Sequence, residues 1–339
     1  MTDPDRPPLA SQMLEALEAD LHAATAMLDP AVYAGMAEMV AYHLGWIEAS
    51  AGGRGKRIRP LLALLCCAAA GGAWQDALPA ASAIELIHNF SLVHDDIQDQ
   101  SPERRGRPTL WTRWGIAQAI NAGDALLVLA RISTFRLRGA GHPESSVLEV
   151  QLALDEACLH LTKGQHLDLA FEGRDRVRVS EYIEMIEGKT AALVTAAATA
   201  GAALARPAPR ILEAYREFGR NLGLAFQILD DILGIWGSPA VTGKPAGDDL
   251  RSRKKTLPVL FGLENSADFQ EQWRAAAASE AAITAMSREL EACGALEHAR
   301  SAASEHTDRA LGALERARPQ GPAAVELREL ALRLLQRDR

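Results

Sequence analysis

Three observations predict an all-α protein. The strong helix formers Ala, Leu, Glu and Arg dominate the 339 residues. Runs of β-branched or aromatic residues that would nominate strands are scarce, and aromatics make up only 5% of the chain. Apolar residues reach 48% and recur at helical spacing, enough for a sizeable core. No repeat, linker or low-complexity block divides the sequence. The polar, Pro-rich stretch Met1–Ala10 therefore reads as a disordered N-terminus, and residues 11–339 as one domain of roughly ten or more helices.

The elements follow from local signals. Residues 11–48 carry apolar positions at helical spacing and predict one or two helices. The glycine-rich break Ala51–Gly55 precedes Lys56-Arg57-Ile58-Arg59-Pro60, after which an apolar helix runs from Leu61 to Ala70 and stops at Gly71-Gly72. A helix over Leu78–Asp99 ends in a charged loop, Gln100–Thr109, punctuated by Pro102, Gly106 and Pro108. Helices are expected over 113–138, 146–171, 180–204, 208–235 and 254–262, with a Gly/Pro-rich loop at Gly237–Gly247 and Ala-rich surface helices after Ser266. Thr190–Ala205 is too short and too weakly apolar for a membrane span and predicts a buried helix.

The net charge of −8 argues against general binding to nucleic acid or anionic membranes. The N-terminus lacks the charged-then-apolar pattern of a secretory signal. Cys66, Cys67, Cys158 and Cys293 show no metal-ligand spacing, and adjacent Cys66-Cys67 in an apolar run reads as core packing. Together these features predict a cytoplasmic protein.

The chemistry lies in two acidic clusters set in apolar, helical segments, Asp95-Asp96-Ile97-Gln98-Asp99 and Asp230-Asp231-Ile232-Leu233-Gly234. On a helix Asp95 and Asp99 share a face, which suits chelation of a hard cation such as Mg²⁺; a solvated acidic helix end is the other reading. The first cluster is followed by Arg104, Arg105 and Arg107, and guanidinium forks match either carboxylates or phosphate oxygens. Lys56, Arg57 and Arg59 stand at a glycine-preceded helix start, an anion site or a solvated basic turn. The second cluster, 135 residues after the first, is followed by Thr242-Gly243-Lys244-Pro245 and Lys254-Lys255-Thr256. Acids that hold metal, metal that holds diphosphate and bases over the remaining oxygens make one duplicated pattern.

With these motifs the chain resembles the trans-isoprenyl diphosphate synthases, the polyprenyl synthetase family. The resemblance rests on Gly55–Pro60, Ile84–His88, His94–Asp99, Arg104–Gly106, Gly123–Leu126, Gly164–Asp168, Lys189–Leu193, Phe226–Asp231, Gly243-Lys244 and Lys254–Pro258, in family order. It implies a helical bundle of the isoprenoid synthase type around a central active-site cavity, working as a homodimer. It implies about three Mg²⁺ ions per site, held by Asp95 and Asp99 from one wall and Asp230 from the other, with Asp96 and Asp231 in support. Arg104, Lys189, Lys244 and Lys254 would hold the allylic diphosphate, and Lys56, Arg59, His88 and Arg105 the metal-free isopentenyl diphosphate. The Gln227 carbonyl and Thr190 hydroxyl would face the allylic cation. No protein nucleophile is required.

The departure from the family pattern is Gly234, where the second motif usually carries Asp. Three readings stand: the site tolerates Gly, metal binding is weakened, or the chain is a non-catalytic partner subunit. A class I terpene cyclase is a further alternative, disfavoured because Lys56, Arg59 and Arg105 would then have no second diphosphate to bind. One helical turn rises about 5.4 Å, close to one isoprene unit. In the family an aromatic at the position of Phe90 stops short products, while Ser91 is small enough to let a tail pass. The expected product is therefore C15 to C20, with C20 geranylgeranyl diphosphate first, unless Phe90 is ordinary core and other helices set the floor.

Overall fold

The computed structural model describes residues 8–48, 55–238, 246–275 and 279–335. Almost all of these are helical, and the expectation of an all-α chain holds. The disordered N-terminus expected over Met1–Ala10 falls largely outside the described residues, and helix α1 (Leu9–Thr25) already begins at Leu9. The chain folds as two compact units. The first is Met1–Cys158, Ala196–Tyr215 and Ala317–Leu327; the second is Leu159–Thr195, Arg216–Arg316 and Arg328–Arg339.

In the first unit, α2 (Pro30–His43) starts with Pro at its first position and with Asp29 accepting from the amide of Ala31. Helix α3 (Ile58–Ala69) begins one turn earlier than the apolar run alone suggests. Helix α4 (Leu78–Gln98) is the axis of the unit and packs on α1, α3 and α6. Nearly every residue from Pro79 to Ser91 is buried, so this helix has no solvent face until its last turns, where Asp95 and Asp99 emerge. The stretch expected as one helix from 113 is cut at Gly115 (φ +82°) into α5 (Leu110–Trp114) and α6 (Ile116–Phe135).

The charged loop holds a small hairpin not foreseen from sequence. β1 (Glu103–Arg104) pairs antiparallel with β2 (Arg107–Pro108). The two residues between them, Arg105 (φ +53°) and Gly106 (φ +70°), both adopt positive φ, the requirement of a two-residue hairpin turn.

Ile116, Ile120, Val128 and Ile132 lie four or eight residues apart on α6 and are exposed, Ile116 and Val128 by 53% each. The stretch Ile116–Arg138 is long and apolar enough to cross a membrane by length and composition. Helix α7 (Glu144–Glu172) exposes Leu148 and Leu152 in the same manner.

In the second unit α7 continues, followed by α8 (Val179–Ile186), a π-helical turn at Glu187–Ala191, the start of α9 (Ala192–Leu204) and most of α10 (Pro209–Trp236). The buried-helix expectation for the Ala-rich segment holds: Ala196, Ala197, Ala198, Ala200 and Ala202 are all buried. Beyond α10, short helices at Asp248–Arg251, Leu257–Asn265, Ala267–Arg274 and Glu280–Ala292 close a core of Ile235, Leu250, Val259, Phe269, Trp273, Ile283, Met286 and Leu290. Cys66, Cys67 and Cys158 are buried thiols, and burial pushes the Cys67 thiol up to about 12.

Candidate active site

In the first unit the acids of the first cluster take three different roles. Asp95 is half-buried in the last turn of α4. Asp99, whose amide still donates to the Asp95 carbonyl (2.8 Å), ends the helix exposed. Asp96, about 100° round the helix, turns inward to 2% exposure. There it accepts from Arg104 Nε (2.8 and 3.0 Å) and pairs with Nη2 (2.7 Å). Burial raises the Asp96 carboxyl, and the Arg104 guanidinium opposes that shift. So Arg104, expected on the allylic diphosphate, is held here on Asp96 through Nε and Nη2.

Cations gather beside this pair. Gly55 has φ +74°, and a Cβ placed there would lie 2.7 Å from Arg105 Nη1, so the absent side chain is the seat for the Arg105 guanidinium. Arg59 Nη1 donates to His88 Nε2 at 3.3 Å. Burial, then the nearby Arg59, Arg105 and Arg104, hold His88 far below the usual imidazole range, so at neutral pH it is uncharged and accepts at Nε2. Burial also lowers Arg59 and Arg105. Among the described residues, the buried Arg59 Nε has no hydrogen-bond partner. Lys56 is exposed just before α3. Arg59 is half-buried with its Nε–H left over, Arg105 is exposed beside it, and the fork geometry of both guanidinium groups suits a diphosphate.

Phe90 and Ser91 lie one turn before the acids. Phe90 is 9% exposed and meets the His94 ring edge-on at 4.9 Å; the buried Ser91 hydroxyl donates back to the His88 carbonyl (2.8 Å).

In the second unit the π-helical turn carries Lys189 and Thr190. A Cβ at Gly164 would sit 2.1 Å from the Lys189 amide nitrogen, and one at Gly188 would sit 2.5 Å from the His160 carbonyl oxygen. Only paired glycines let α7 approach the turn so closely. Lys189 Nζ donates to Asp168. The Thr190 hydroxyl donates to Gln227 Oε1 (2.6 Å), and Gln227 Nε2 donates to Asp231 Oδ1 (2.9 Å). The two dipoles expected to face a cation are coupled to one another: the Gln227 carbonyl accepts the Thr190 hydroxyl.

Asp230 is exposed, whereas Asp231 is buried. Asp231 accepts from the Tyr182 hydroxyl, Gln227 and the Leu257 amide (3.3 Å). Burial, then the neighbouring Asp249 carboxylate, pushes its carboxyl up to about 7. The space beside Gly234 is filled from elsewhere: a Cβ there would lie 2.0 Å from Asp249 Oδ2. Lys254 is exposed, and its amide donates to the Asp249 carbonyl (2.9 Å); Lys255 caps the end of α7 by donating to the Phe171 carbonyl (2.6 Å). Lys244 lies outside the described residues. Tyr182 and Asp249 escape sequence reasoning, since nothing local marks either as a partner of the acid cluster.

The family model for polyprenyl synthetase matches residues 44–291. The chain belongs to the polyprenyl synthetase family. It is 41% identical to the (2E,6E)-farnesyl diphosphate synthase of Mycobacterium tuberculosis H37Rv, over 89% of this chain and 86% of that protein. It is 39% identical to the geranylgeranyl diphosphate synthase of the same strain, over 96% and 94%. A solved geranylgeranyl pyrophosphate synthase from Corynebacterium glutamicum, complexed with isoprenyl diphosphate and magnesium, superposes with a TM-score of 0.83 at 28% identity, covering 97% of this chain and 98% of that one. The protein is accordingly a prenyl diphosphate synthase with the all-α isoprenoid synthase fold, a transferase of prenyl groups.

The donor set fits Mg²⁺. Asp95 and Asp99 offer hard carboxylate oxygens one helical turn apart, and Asp230 offers another in the second unit. Among the described residues no three acid, His or Cys side chains close round one point. Mg²⁺ asks for one or two carboxylates and completes its shell with water and phosphate oxygens.

Proposed function

We propose that this synthase adds isopentenyl diphosphate to an allylic diphosphate in a Mg²⁺-dependent reaction and releases a C15 to C20 product, C20 geranylgeranyl diphosphate first. The observation that carries the reading is the cluster of Arg59 on neutral His88 with Arg105 seated against Gly55, an anion cradle with an unused buried N–H at Arg59 Nε. It serves isopentenyl diphosphate, with Lys56 at its rim. The allylic diphosphate is assigned to Arg104, Lys189, Lys244 and Lys254, and the metal to Asp95, Asp99 and Asp230. Bound Mg²⁺ would neutralise charge on the departing diphosphate. Thr190 and Gln227, locked together by their hydrogen bond, present a fixed dipole to the allylic cation instead of a mobile one. The double bond of isopentenyl diphosphate then forms the new C–C bond, and the proton lost leaves to the pyrophosphate.

Phe90, buried one turn below Asp95, supports a short product. The apolar stripe on α6 supports a homodimer, which would cover Ile116, Ile120, Val128 and Ile132; sedimentation at about twice 36.4 kDa is the expected result. The buried thiols accord with a reducing cytoplasm.

The deciding assay supplies geranyl, farnesyl or geranylgeranyl diphosphate with isopentenyl diphosphate and Mg²⁺, and reads product mass. Elongation to C20, abolished by chelator, is expected, and Phe90→Ala should lengthen the product. No turnover of the pure chain, with stimulation of a partner synthase, would overturn the reading in favour of a regulatory subunit. Cyclised hydrocarbon from one diphosphate alone would favour a cyclase.

A further inference from the structure

Between the two cations assigned to isopentenyl diphosphate, Lys56 and Arg59, stands a third that faces the other way. Arg57 is 5% exposed. Its guanidinium donates from Nε to Glu18 Oε1 (2.8 Å), from Nη1 to Glu85 Oε1 (2.8 Å) and from Nη2 to the Leu44 carbonyl (2.9 Å). Each carboxylate partner is tied in turn. Glu18 Oε2 accepts from Trp46 Nε1 (2.9 Å), and Glu85 Oε1 accepts from Asn89 Nδ2 (2.8 Å). The network joins α1, the end of α2, the start of α3 and the middle of α4 through one side chain.

The backbone at this residue is equally unusual. Arg57 has φ +47° and ψ +36°, a left-handed conformation uncommon for a residue with a Cβ. It is the residue immediately before the first turn of α3. That conformation falls between Lys56, which is exposed, and Arg59, which donates to His88. Glu85 and His88 lie three residues apart on α4, so the carboxylate that anchors Arg57 and the imidazole that receives Arg59 share one rigid face.

We infer that Arg57 is a positioning residue: its three inward hydrogen bonds hold the left-handed turn that aims Lys56 and Arg59 at isopentenyl diphosphate. The inference rests on the assignment of that substrate to the cradle. Arg57, buried and donating to three protein acceptors, acts through its neighbours and bears on one of the two substrates alone. A lysine cannot replace it, because one ammonium cannot reach three acceptors fixed by a planar fork.

The test is steady-state kinetics of Arg57→Lys, Arg57→Gly and Glu18→Gln, with calorimetric binding of isopentenyl diphosphate alone in Mg²⁺-free buffer. Arg57→Lys and Arg57→Gly are each expected to raise the KM for isopentenyl diphosphate about ten- to hundredfold, to weaken its calorimetric affinity in parallel, and to move the KM for the allylic substrate less than about twofold. Glu18→Gln, which keeps the shape and softens one acceptor, should shift the same constant in the same direction by a smaller factor. Arg57→Gly is the sharper variant, since glycine accepts the positive φ unaided. Wild-type affinity in that variant would show that the backbone alone sets the turn and would overturn the inference. So would parallel loss of affinity for both substrates, which marks general damage. If both Arg57 variants fail to fold, an unchanged isopentenyl KM in Glu18→Gln overturns it. Failure of the wild-type chain to bind isopentenyl diphosphate would instead sink the substrate assignment.

Discussion

The two acid clusters begin alike and neutralise their second acid in opposite ways. In the first unit the inward Asp96 is met by a cation, Arg104. In the second unit the inward Asp231 is met by neutral donors, namely Tyr182, Gln227 and the Leu257 amide, with Asp249 nearby, and its carboxyl rises to about 7. The same Asp-Asp pair therefore builds an ion pair in one unit and a near-neutral hydrogen-bond node in the other. In each case the other acid of the pair is the more exposed one, Asp95 half-buried and Asp230 exposed. The clusters differ again at the fifth position, where Asp99 extends the first while the Asp249 carboxylate lies against Gly234 in the second.

The largest effect that would break this contrast concerns an outward acid. Asp95→Ala should lower kcat/KM by about 10²–10³-fold without loss of helical circular dichroism, and near-normal turnover would remove the first cluster from the chemistry. Next come the inward acids. Asp96→Asn strips the buried carboxylate from Arg104 and should cost about 2–3 kcal/mol in urea unfolding of the metal-free protein at pH 7.5. Asp231→Asn keeps one oxygen acceptor, relieves a crowded carboxylate and should cost about 1 kcal/mol or less. Equal losses would mean that the two nodes are not different in kind.

Gly234→Asp, which restores the usual motif, should destabilise by about 1–2 kcal/mol because it meets the Asp249 carboxylate, and Asp249→Gly in the same chain should recover the loss. A stabilised single variant would show that Asp249 moves aside. A last effect, of about the size expected for Asp231→Asn, concerns His43, which burial, then Arg104, Arg105 and Arg107, lower to about 3. Folded His43 stays neutral while the unfolded side chain protonates near pH 6.5. Its contribution is therefore present above pH 6.5 and is lost as pH falls toward 3. Between pH 7 and pH 5.5 the wild type should lose about 1 kcal/mol more than His43→Gln, followed by urea unfolding.

Much of this was legible in the sequence because it is periodic or local. The 3.6-residue apolar rhythm marks α10, a long apolar run ending in acids marks α4, and Asp95 and Asp99 share a face because they lie one turn apart. The inward turn of Asp96 and Asp231 was legible in principle, since neighbours on a helix point about 100° apart. The Arg105-Gly106 hairpin was hidden because the usual Asn-Gly or Asp-Gly signal is absent and an arginine holds the left-handed position. The seat of Asp249 on Gly234, the Arg57 network and the Tyr182 hydroxyl on Asp231 are long-range pairings with no local signature.

The π-helical turn at Glu187–Ala191 has a consequence for how this chain can vary. A π turn holds one residue more than an α turn, so everything from Ala192 onward is offset by about 100° from the face an unbroken helix would present. Deleting a single residue there would splice α8 and α9 into one regular helix, a change a folded protein can absorb. It would also swing Lys189 and Thr190 away from Asp168 and Gln227. The extra residue works as a phase shifter, which ties the register of a helix to the aim of two side chains.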